Sequence, residues 1–514
     1  MRVLFLSVQR NLNIIGLRYI HECALEAGHD ARFLFLNRFN DGGEPALEAL
    51  RAFIAAFDPG IVGLSLTAHD SPPVRTLTGL LKQWFPALPV IWGGIYPTTE
   101  PEASLEFADY ICRGEGEEMM VELLDALEHG RPVDDIANLG FKRDGEIRLN
   151  PLRPLVTDLD RFPILGPLPS MGYIQSKVAV EPVTLGHLKK YSLFRGTIYR
   201  ILVSRGCPMH CHYCANSFLM RLYPDWGLRW RSVENVIREL EQAIKIHPAI
   251  KFVTFADDCV FSMKLDLMRE FCREYKARVN RPFAAKATPA HISRERVDLM
   301  VDAGLAWANV GLQDGNDRVC KEVYGRPIPV AQFEKAAQIL SEYPVAAYYD
   351  LILNNPFATR EEDVQTAELL ARIPRPFFPQ ALSLTFFQGT QIRERALREC
   401  PEQVVDPETK DIYRSVYRPE DELKIIASVL HRPLWRALLA RFKKAPDSGL
   451  TRALVRMAGF YSRMVLFPLL FFRLLVRSQR NSLWTAVKLL PYVVDTRLIS
   501  NFDLLHNTKD STEE

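Results

Sequence analysis

The chain has 514 residues, and that length sets a prior of about three domains. Its 48% hydrophobic content is ample for large buried cores, and its net charge is only +2. Nine cysteines are an odd number and no secretory pattern opens the sequence, so a reducing compartment is expected, the cytoplasm, and an oxidising one is excluded.

Residues 1–130 alternate short β-rich apolar runs with helical ones. Strands are expected at 2–7, 31–36, 61–66, 90–92 and 110–112, and helices at 14–27, 46–57, after Pro73 and from Glu117. Five strands separated by helices need crossover connections, which implies a parallel, doubly wound (Rossmann-like) sheet in an α/β fold. Ligands on such sheets bind at the carboxyl ends of the strands. That edge carries Ser65 and Thr67, then Gly93 and Gly94, then Gly114 and Glu115. The glycines let the backbone approach a bulky ligand closely. A flavodoxin-like module without a cofactor would need the same turns.

A stop at Asp158-Leu159-Asp160-Arg161-Phe162-Pro163, with Pro and Gly recurring through Gly172, reads as a linker. The division expected is residues 1–135 as a first domain, 136–195 as linker, 196–395 as a second domain and 396–514 as a mainly helical C-terminal region. Residues 177–200 suit a hairpin leading into the next strand and carry no functional reading.

From Ile198 the alternation resumes, with strands at 199–204, 252–255, 283–287, 308–312, 346–353 and 381–386. Six parallel units imply a partial (β/α)6 barrel. A complete eight-unit barrel is the alternative, and no seventh and eighth units of matching spacing follow. The first strand leads into Ser204-Arg205-Gly206-Cys207-Pro208-Met209-His210-Cys211-His212-Tyr213-Cys214. A cubane 4Fe-4S cluster is normally held by four thiolates, so a loop that offers three, Cys207, Cys211 and Cys214, leaves one iron free to bind something else. Zinc is the competing reading. Zinc sites pair two Cys units or add a spaced His pair, and beyond His210 and His212 that second half is missing. The loop follows a strand end, where barrel active sites gather.

The Cys-x3-Cys-x2-Cys spacing, with Tyr213 just before the third cysteine, resembles the signature of the radical S-adenosylmethionine (SAM) superfamily. The strings Gly93-Gly94-Ile95-x-Pro97-Thr98 and Arg113-Gly114-Glu115-Gly116-Glu117 resemble the cobalamin-binding domain of its cobalamin-dependent members. The resemblance covers about residues 1–130 and about 195–395. It implies that Cys207, Cys211 and Cys214 hold a 4Fe-4S cluster whose free iron chelates SAM. It also implies that Ser65, Thr67, Gly93, Gly94, Gly114 and Glu115 face cobalamin.

By the same resemblance Asp257 and Asp258 stand where the superfamily often has a Gly-Gly-Glu segment on the SAM amine, and Gln313 where a Glu contacts the ribose. Gln keeps an acceptor oxygen and loses the charge, which suits a neutral diol. Asn354 and Pro356, and Gln388-Gly389-Thr390, resemble segments near the adenine; ordinary capping turns would read alike. The Asp-x-His-x-x-Gly motif that supplies a histidine to cobalt is absent, so cobalamin is expected base-off and without a histidine ligand. His21 and His69 are the histidines near the strand ends that bear on this.

The activity so implied is methylation of an unactivated carbon in a small or lipid-like molecule, through a 5'-deoxyadenosyl radical and methylcobalamin. An external electron donor of flavodoxin or ferredoxin type is implied with it. One alternative keeps both cofactors and transfers no methyl, as in the anaerobic ring-forming cyclase of chlorophyll synthesis. Another, from a different class, is an iron–sulfur and cobalamin sensor or electron-transfer module.

Residues 432–497 carry thirteen Lys or Arg against two acids, Asp447 and Asp495. The apolar run 464–472 contains Pro468 and is bounded by Arg463 and Arg473, and its nine residues fall short of the roughly twenty that a span needs. Leu-, Phe- and Trp-rich segments with interposed Arg read as an in-plane amphipathic helix, so peripheral contact with the inner face of a membrane is expected. The alternative is a basic helical cap packed on the barrel. Aromatic residues here sit within apolar runs, which argues against nucleic acid. The other cysteines, Cys23, Cys112, Cys259, Cys272, Cys320 and Cys400, lack metal-ligand spacing and read as buried free thiols. With only Cys23 and Cys112 in the first domain, a second cluster of the methylthiotransferase kind is disfavoured.

Overall fold

A computed structural model describes residues 1–478, apart from 10, 11, 13, 37, 38, 40–42, 177 and 409–416. Arg480, Lys488, Asp495 and Arg497 of the basic tail lie outside the described residues.

The first unit is built on β1 (Arg2–Ser7), β2 (Asp30–Phe35), β3 (Ile61–Ser65), β4 (Val90–Gly93) and β5 (Tyr110–Cys112). Strand β1 is a continuous apolar run, because both of its faces are covered. Val3 and Phe5 enter one core, Leu4 and Leu6 the other. Residues 136–195, read from sequence as a linker, are not only that. They contribute β6 (Leu139–Arg143), β7 (Glu146–Leu149), β8 (Gly172–Ser176) and β9 (Ala179–Pro182). These widen the sheet to nine strands in the order β7-β6-β5-β4-β3-β1-β2-β8-β9. Strands β1 to β5 and β8 pair in parallel, while β6, β7 and β9 are antiparallel additions at the edges. Short edge strands take their pairing from the sheet they join, so their own sequence signal is slight.

The second unit is a six-stranded parallel sheet made of β10 (Ile198–Ile201), β13 (Phe252–Phe255), β14 (Phe283–Ala287), β15 (Leu305–Gln313), β16 (Ala346–Leu353) and β17 (Phe378–Ser383), in that order. Between β10 and β13, the two-residue strands β11 (Ser204–Arg205) and β12 (Arg229–Trp230) form a separate antiparallel pair. The last strand sits at 378–383 and not at 381–386, because its register is set by β16, from Tyr348 opposite Phe378 to Leu353 opposite Ser383.

The C-terminal helices are part of the barrel's own core. Leu423, Trp435, Leu439, Phe442, Val455, Phe467 and Leu474 are buried in it. The nine-residue apolar run belongs to a helical stretch of thirty residues, Gly449–Ser478, with a mean hydropathy of 1.5. By length and composition alone this stretch is long and apolar enough to cross a membrane, which corrects the shorter count from sequence. Arg463, taken there as a boundary, is neutralised by Glu422 and interrupts nothing. One third of the apolar window is buried against the protein.

Candidate functional site

The strand ends of the first sheet and the loop after β10 face each other across a cavity of about 360 Å³, a volume ordinary for small-molecule sites. Gly94, Thr98 and Glu115 line it from one side, and Ser204, Tyr223 and Asp258 from the other.

On the barrel side, the cysteine loop is held by backbone and by one tryptophan. Gly206 has a left-handed φ of 95°, and a side chain there would run into the Gly227 carbonyl oxygen. Trp226 Nε1 donates to the Cys207 carbonyl at 3.0 Å, and the His212 amide donates to the Tyr324 carbonyl at 2.8 Å. Cys211 is buried, and Cys207 and Cys214 are half-buried. All three thiols are free, and burial pushes Cys207 up to about 12 and Cys214 up to about 11. Iron takes thiolate ligands and offsets that penalty, so three neighbouring thiols in a half-buried loop fit a cluster with one open corner. Arg326, also buried, brings Nη1 to 3.9 Å from Cys211 Sγ and donates from Nη2 to the Gly311 carbonyl at 2.9 Å.

On the sheet side, Gly94 has φ 93°, and a Cβ there would lie 2.8 Å from the Leu66 carbonyl oxygen. Gly114 has φ 81°, and the Tyr223 hydroxyl occupies the place of the missing Cβ. That hydroxyl is buried against the Glu115 backbone without a hydrogen bond of ordinary geometry, and burial pushes it up to about 12. A poorly satisfied polar atom beside a strand-end glycine at the cavity wall fits a ligand in the cavity. Among the described lining residues there is no histidine: His21 is a core residue set between Phe5 and Phe33, and His69 is exposed on a turn.

The structure brings Gly94, Gly114, Glu115, Asp257 and Asp258 to the cavity, and leaves Ser65, Thr67 and Gly93 just outside its lining. Thr67 is spent on capping, its Oγ1 donating to Asp70 at 2.9 Å. Glu115 is committed to the barrel. Its carboxylate meets Arg229 at 2.7 Å and Arg205 at 3.3 Å, and Arg205 also holds Glu117 at 2.5 Å. Asp257 likewise faces inward, accepting from the Val203 amide at 3.0 Å and from Ser204 Oγ at 2.6 Å, which leaves Asp258 as the freer of the two acids. Asp258 accepts from Asn216 at 2.8 Å.

Tyr213 meets Tyr324 edge-on at 5.3 Å and belongs to a small apolar cluster. Gln313 and Asn354 end β15 and β16 with left-handed φ values of 71° and 55°. The Asn354 amide donates to Asp421 at 3.0 Å, and buried Lys424 joins Asp421 at 3.2 Å to Asp363 at 2.5 Å. Sequence reasoning passed over Arg205, Tyr223, Trp226, Arg229 and Arg326. Only Arg205 carried a signal, standing two residues before Cys207.

Residues 1–124 match the B12 binding domain, and residues 201–370 match the radical SAM superfamily. An uncharacterized methyltransferase of Pyrococcus horikoshii is 27% identical over 391 residues, covering 74% of this chain and 78% of its own. The anaerobic magnesium-protoporphyrin IX monomethyl ester cyclase of Synechocystis is 30% identical over 228 residues, covering 42% of this chain and 39% of its own. Among solved structures, the radical SAM methyltransferase TsrM of Kitasatospora setae, with cobalamin and a [4Fe-4S] cluster bound, superposes with a TM-score of 0.63 at 18% identity over 79% of this chain and 76% of that one. With a B12 binding domain joined to a three-cysteine radical SAM domain, the chain belongs to the cobalamin-dependent radical SAM enzymes, whose cofactors are a 4Fe-4S cluster, S-adenosylmethionine and cobalamin.

Proposed function

We propose that the protein methylates an unactivated carbon of a small or lipid-like molecule. The observation that carries this reading is the shared cavity: Arg205, Gly206 and Asn216, which flank the three-thiol loop, and the strand-end glycines Gly94 and Gly114 border one space. When bound, the cluster with SAM supplies a radical at the substrate carbon, and cobalamin supplies a methyl group for it. The chain's part is to orient and enclose. Cys207, Cys211 and Cys214 would hold the iron, Asp258 offers an acceptor at the cavity wall, and Gly94 and Gly114 let the strand-end turns pack tightly on Leu66 and Tyr223 at that wall. Arg205 and Arg229 keep the two halves closed against water through Glu115 and Glu117. The relative named as a methyltransferase supports the reading.

Protein reconstituted anaerobically with iron, sulfide, cobalamin, reductant and SAM is expected to form both S-adenosylhomocysteine and deoxyadenosine when its substrate is present. Any of the three loop cysteines changed to Ala should end deoxyadenosine formation and hold S-adenosylhomocysteine to at most a single equivalent per cobalamin. Deoxyadenosine alone would instead mark ring-forming chemistry, which the Synechocystis relative favours as the second reading. A flavodoxin or ferredoxin as electron donor, and peripheral contact of the exposed face of Gly449–Ser478 with the inner membrane surface, complete the proposal.

A further inference from the structure

The interior of the barrel carries a band of polar side chains that the reading above does not use. Register aligns Lys286, Asn309, Tyr348 and Phe378 across β14 to β17. One step closer to the strand ends it aligns Gly311, Asp350 and Gln380. Alternation turns these residues to the concave face. Their neighbours Ala308 and Val310 point the other way and are 0% exposed, whereas Lys286, Asn309, Asp350 and Gln380 keep partial exposure. The Asn309 side-chain amide donates to Gln380 Oε1 at 3.2 Å over the top of β16, which confirms that these side chains share the inner face.

Four buried polar atoms here lack a hydrogen-bond partner, Trp307 Nε1, Asn309 Oδ1, Tyr348 Oη and Asp350 Oδ1, while the Asp350 carboxylate as a whole has the Asn309 side chain as its hydrogen-bonding neighbour. Tyr348 is only 6% exposed. Leaving such groups unmet in a buried place is costly, so a set of them in one place calls for an occupant. The surroundings define its chemistry. Trp307 stacks on Tyr348 at 5.4 Å, and Tyr348 meets Phe378 at 5.3 Å, giving an aromatic floor that Phe467 and Phe471 of the C-terminal helix adjoin at Phe378 and Trp307. Arg326, which approaches Cys211, is tied to Gly311 in the upper row, so the band lies next to the cluster loop.

We propose that this band recognises the reacting end of the substrate, and that the substrate carries a hydrogen-bond donor beside an acceptor on an unsaturated or ring portion. The donor serves Asp350 Oδ1 and Asn309 Oδ1. The acceptor takes its bonds from Lys286 Nζ and Trp307 Nε1. An amide or a heterocycle edge has this pattern, and a plain acyl chain does not, because it would leave all four atoms unmet. The inference rests on the barrel being the reaction chamber, and it leaves the remainder of the substrate free to be lipid-like.

The test uses the full chain with its cluster and cobalamin reconstituted, and benzamide as a minimal probe with toluene as its counterpart without polar atoms. Calorimetric titration should show saturable benzamide binding at least tenfold tighter than toluene, the worth of one hydrogen bond to a charged group. Asp350→Asn and Asn309→Leu should each cut that preference severalfold while iron content stays at the wild-type level. Equal binding of the two probes, no binding of benzamide, or a preference unchanged in both variants overturns the assignment. The wild-type comparison decides even if a variant fails to fold. No turnover is needed, so a failed search for S-adenosylhomocysteine would count against the methyl-transfer reading and leave this one standing.

Discussion

A guanidinium 3.9 Å from a cluster-ligand sulfur is the residue-scale feature with the sharpest consequence. Cations and hydrogen bonds at the ligand sulfurs favour the reduced, more negative state of an iron–sulfur centre. Arg326→Gln is therefore expected to shift the midpoint potential of the bound cluster to a more negative value at unchanged iron content, read by an EPR-monitored redox titration. A second expectation concerns acid. Burial raises the Asp350 carboxyl from its ordinary range to about 6. A carboxyl whose pKa is higher folded than unfolded favours folding most when protonated, so its contribution is lost as pH rises towards 6. Asp350→Asn should flatten the fall in melting temperature between about pH 4 and about pH 6, where each pH unit is worth up to about 1.4 kcal/mol. The three cysteines were legible because their ligand set lies within eight consecutive residues. Glu115 and Asp257 were read towards a cofactor because their real partners, Arg229 and the Ser204 backbone, come from distant sequence. Lys286 and Asp350 were passed over inside strands, where an isolated charge in an apolar run gives no sign of which face it occupies.

At the scale of elements, the smallest piece of sheet has the largest positioning role. The β11–β12 pair is only two residues long on each side, yet it supplies both Arg205 and Arg229 to the turn after β5. Arg205 also lies over the Phe162 ring at 5.0 Å, so the clamp reaches the connecting segment as well. Because Arg229 is 9% exposed and Glu115 22%, the pair is largely desolvated, and removing one partner leaves the other charge buried. Glu115→Ala should weaken cobalamin retention by about tenfold or more through loss of the facing wall, measured by gel filtration of the reconstituted protein, with iron content unaffected. Loss of iron together with cobalamin would mean that the change acts on folding as a whole. The parallel strands were legible from their unbroken apolar runs. The edge additions β6 to β9 were not, because Leu139–Arg143 and Ala179–Pro182 carry alternation too brief to separate from a linker. The sixth barrel strand slipped by three residues for a related reason: Phe377 and Phe378 at one end and Phe386 and Phe387 at the other give similar apolar weight, and only pairing with β16 chooses.

Across the whole molecule, the C-terminal helices close the barrel and leave one face outward. Lys424 is buried among Asp314, Asp363 and Asp421, joining the helix Pro419–Ala427 to the end of β15 and to the helix Arg360–Arg372. Further on, Gly449–Ser478 turns Val455, Phe467 and Leu474 inward, while Met457, Phe460, Met464 and Leu469 are each at least half exposed. The inward face bears out the cap considered from sequence, and the outward face keeps the membrane reading open, since no acid lies between 448 and 478 and Arg452, Arg456 and Arg473 flank the apolar stripe. An exposed stripe of this size on one helix marks a contact surface. If it rests in the plane of a bilayer, the apolar side chains supply most of the binding and the arginines make it depend on anionic lipid. Full-length protein should then sediment with vesicles containing phosphatidylglycerol and much less with purely zwitterionic ones. Phe460→Ser combined with Leu469→Ser should lower the bound fraction at least tenfold, since burying each such side chain is worth about 1.5–3 kcal/mol. Neither residue enters the barrel core, so SAM cleavage by the variant should match the wild type. Binding that survives the double substitution, or that ignores lipid charge, would assign the stripe to another occupant, such as residues 479–514 or a second copy of the chain, and gel filtration of the wild type against a chain ending at 478 would tell these two apart.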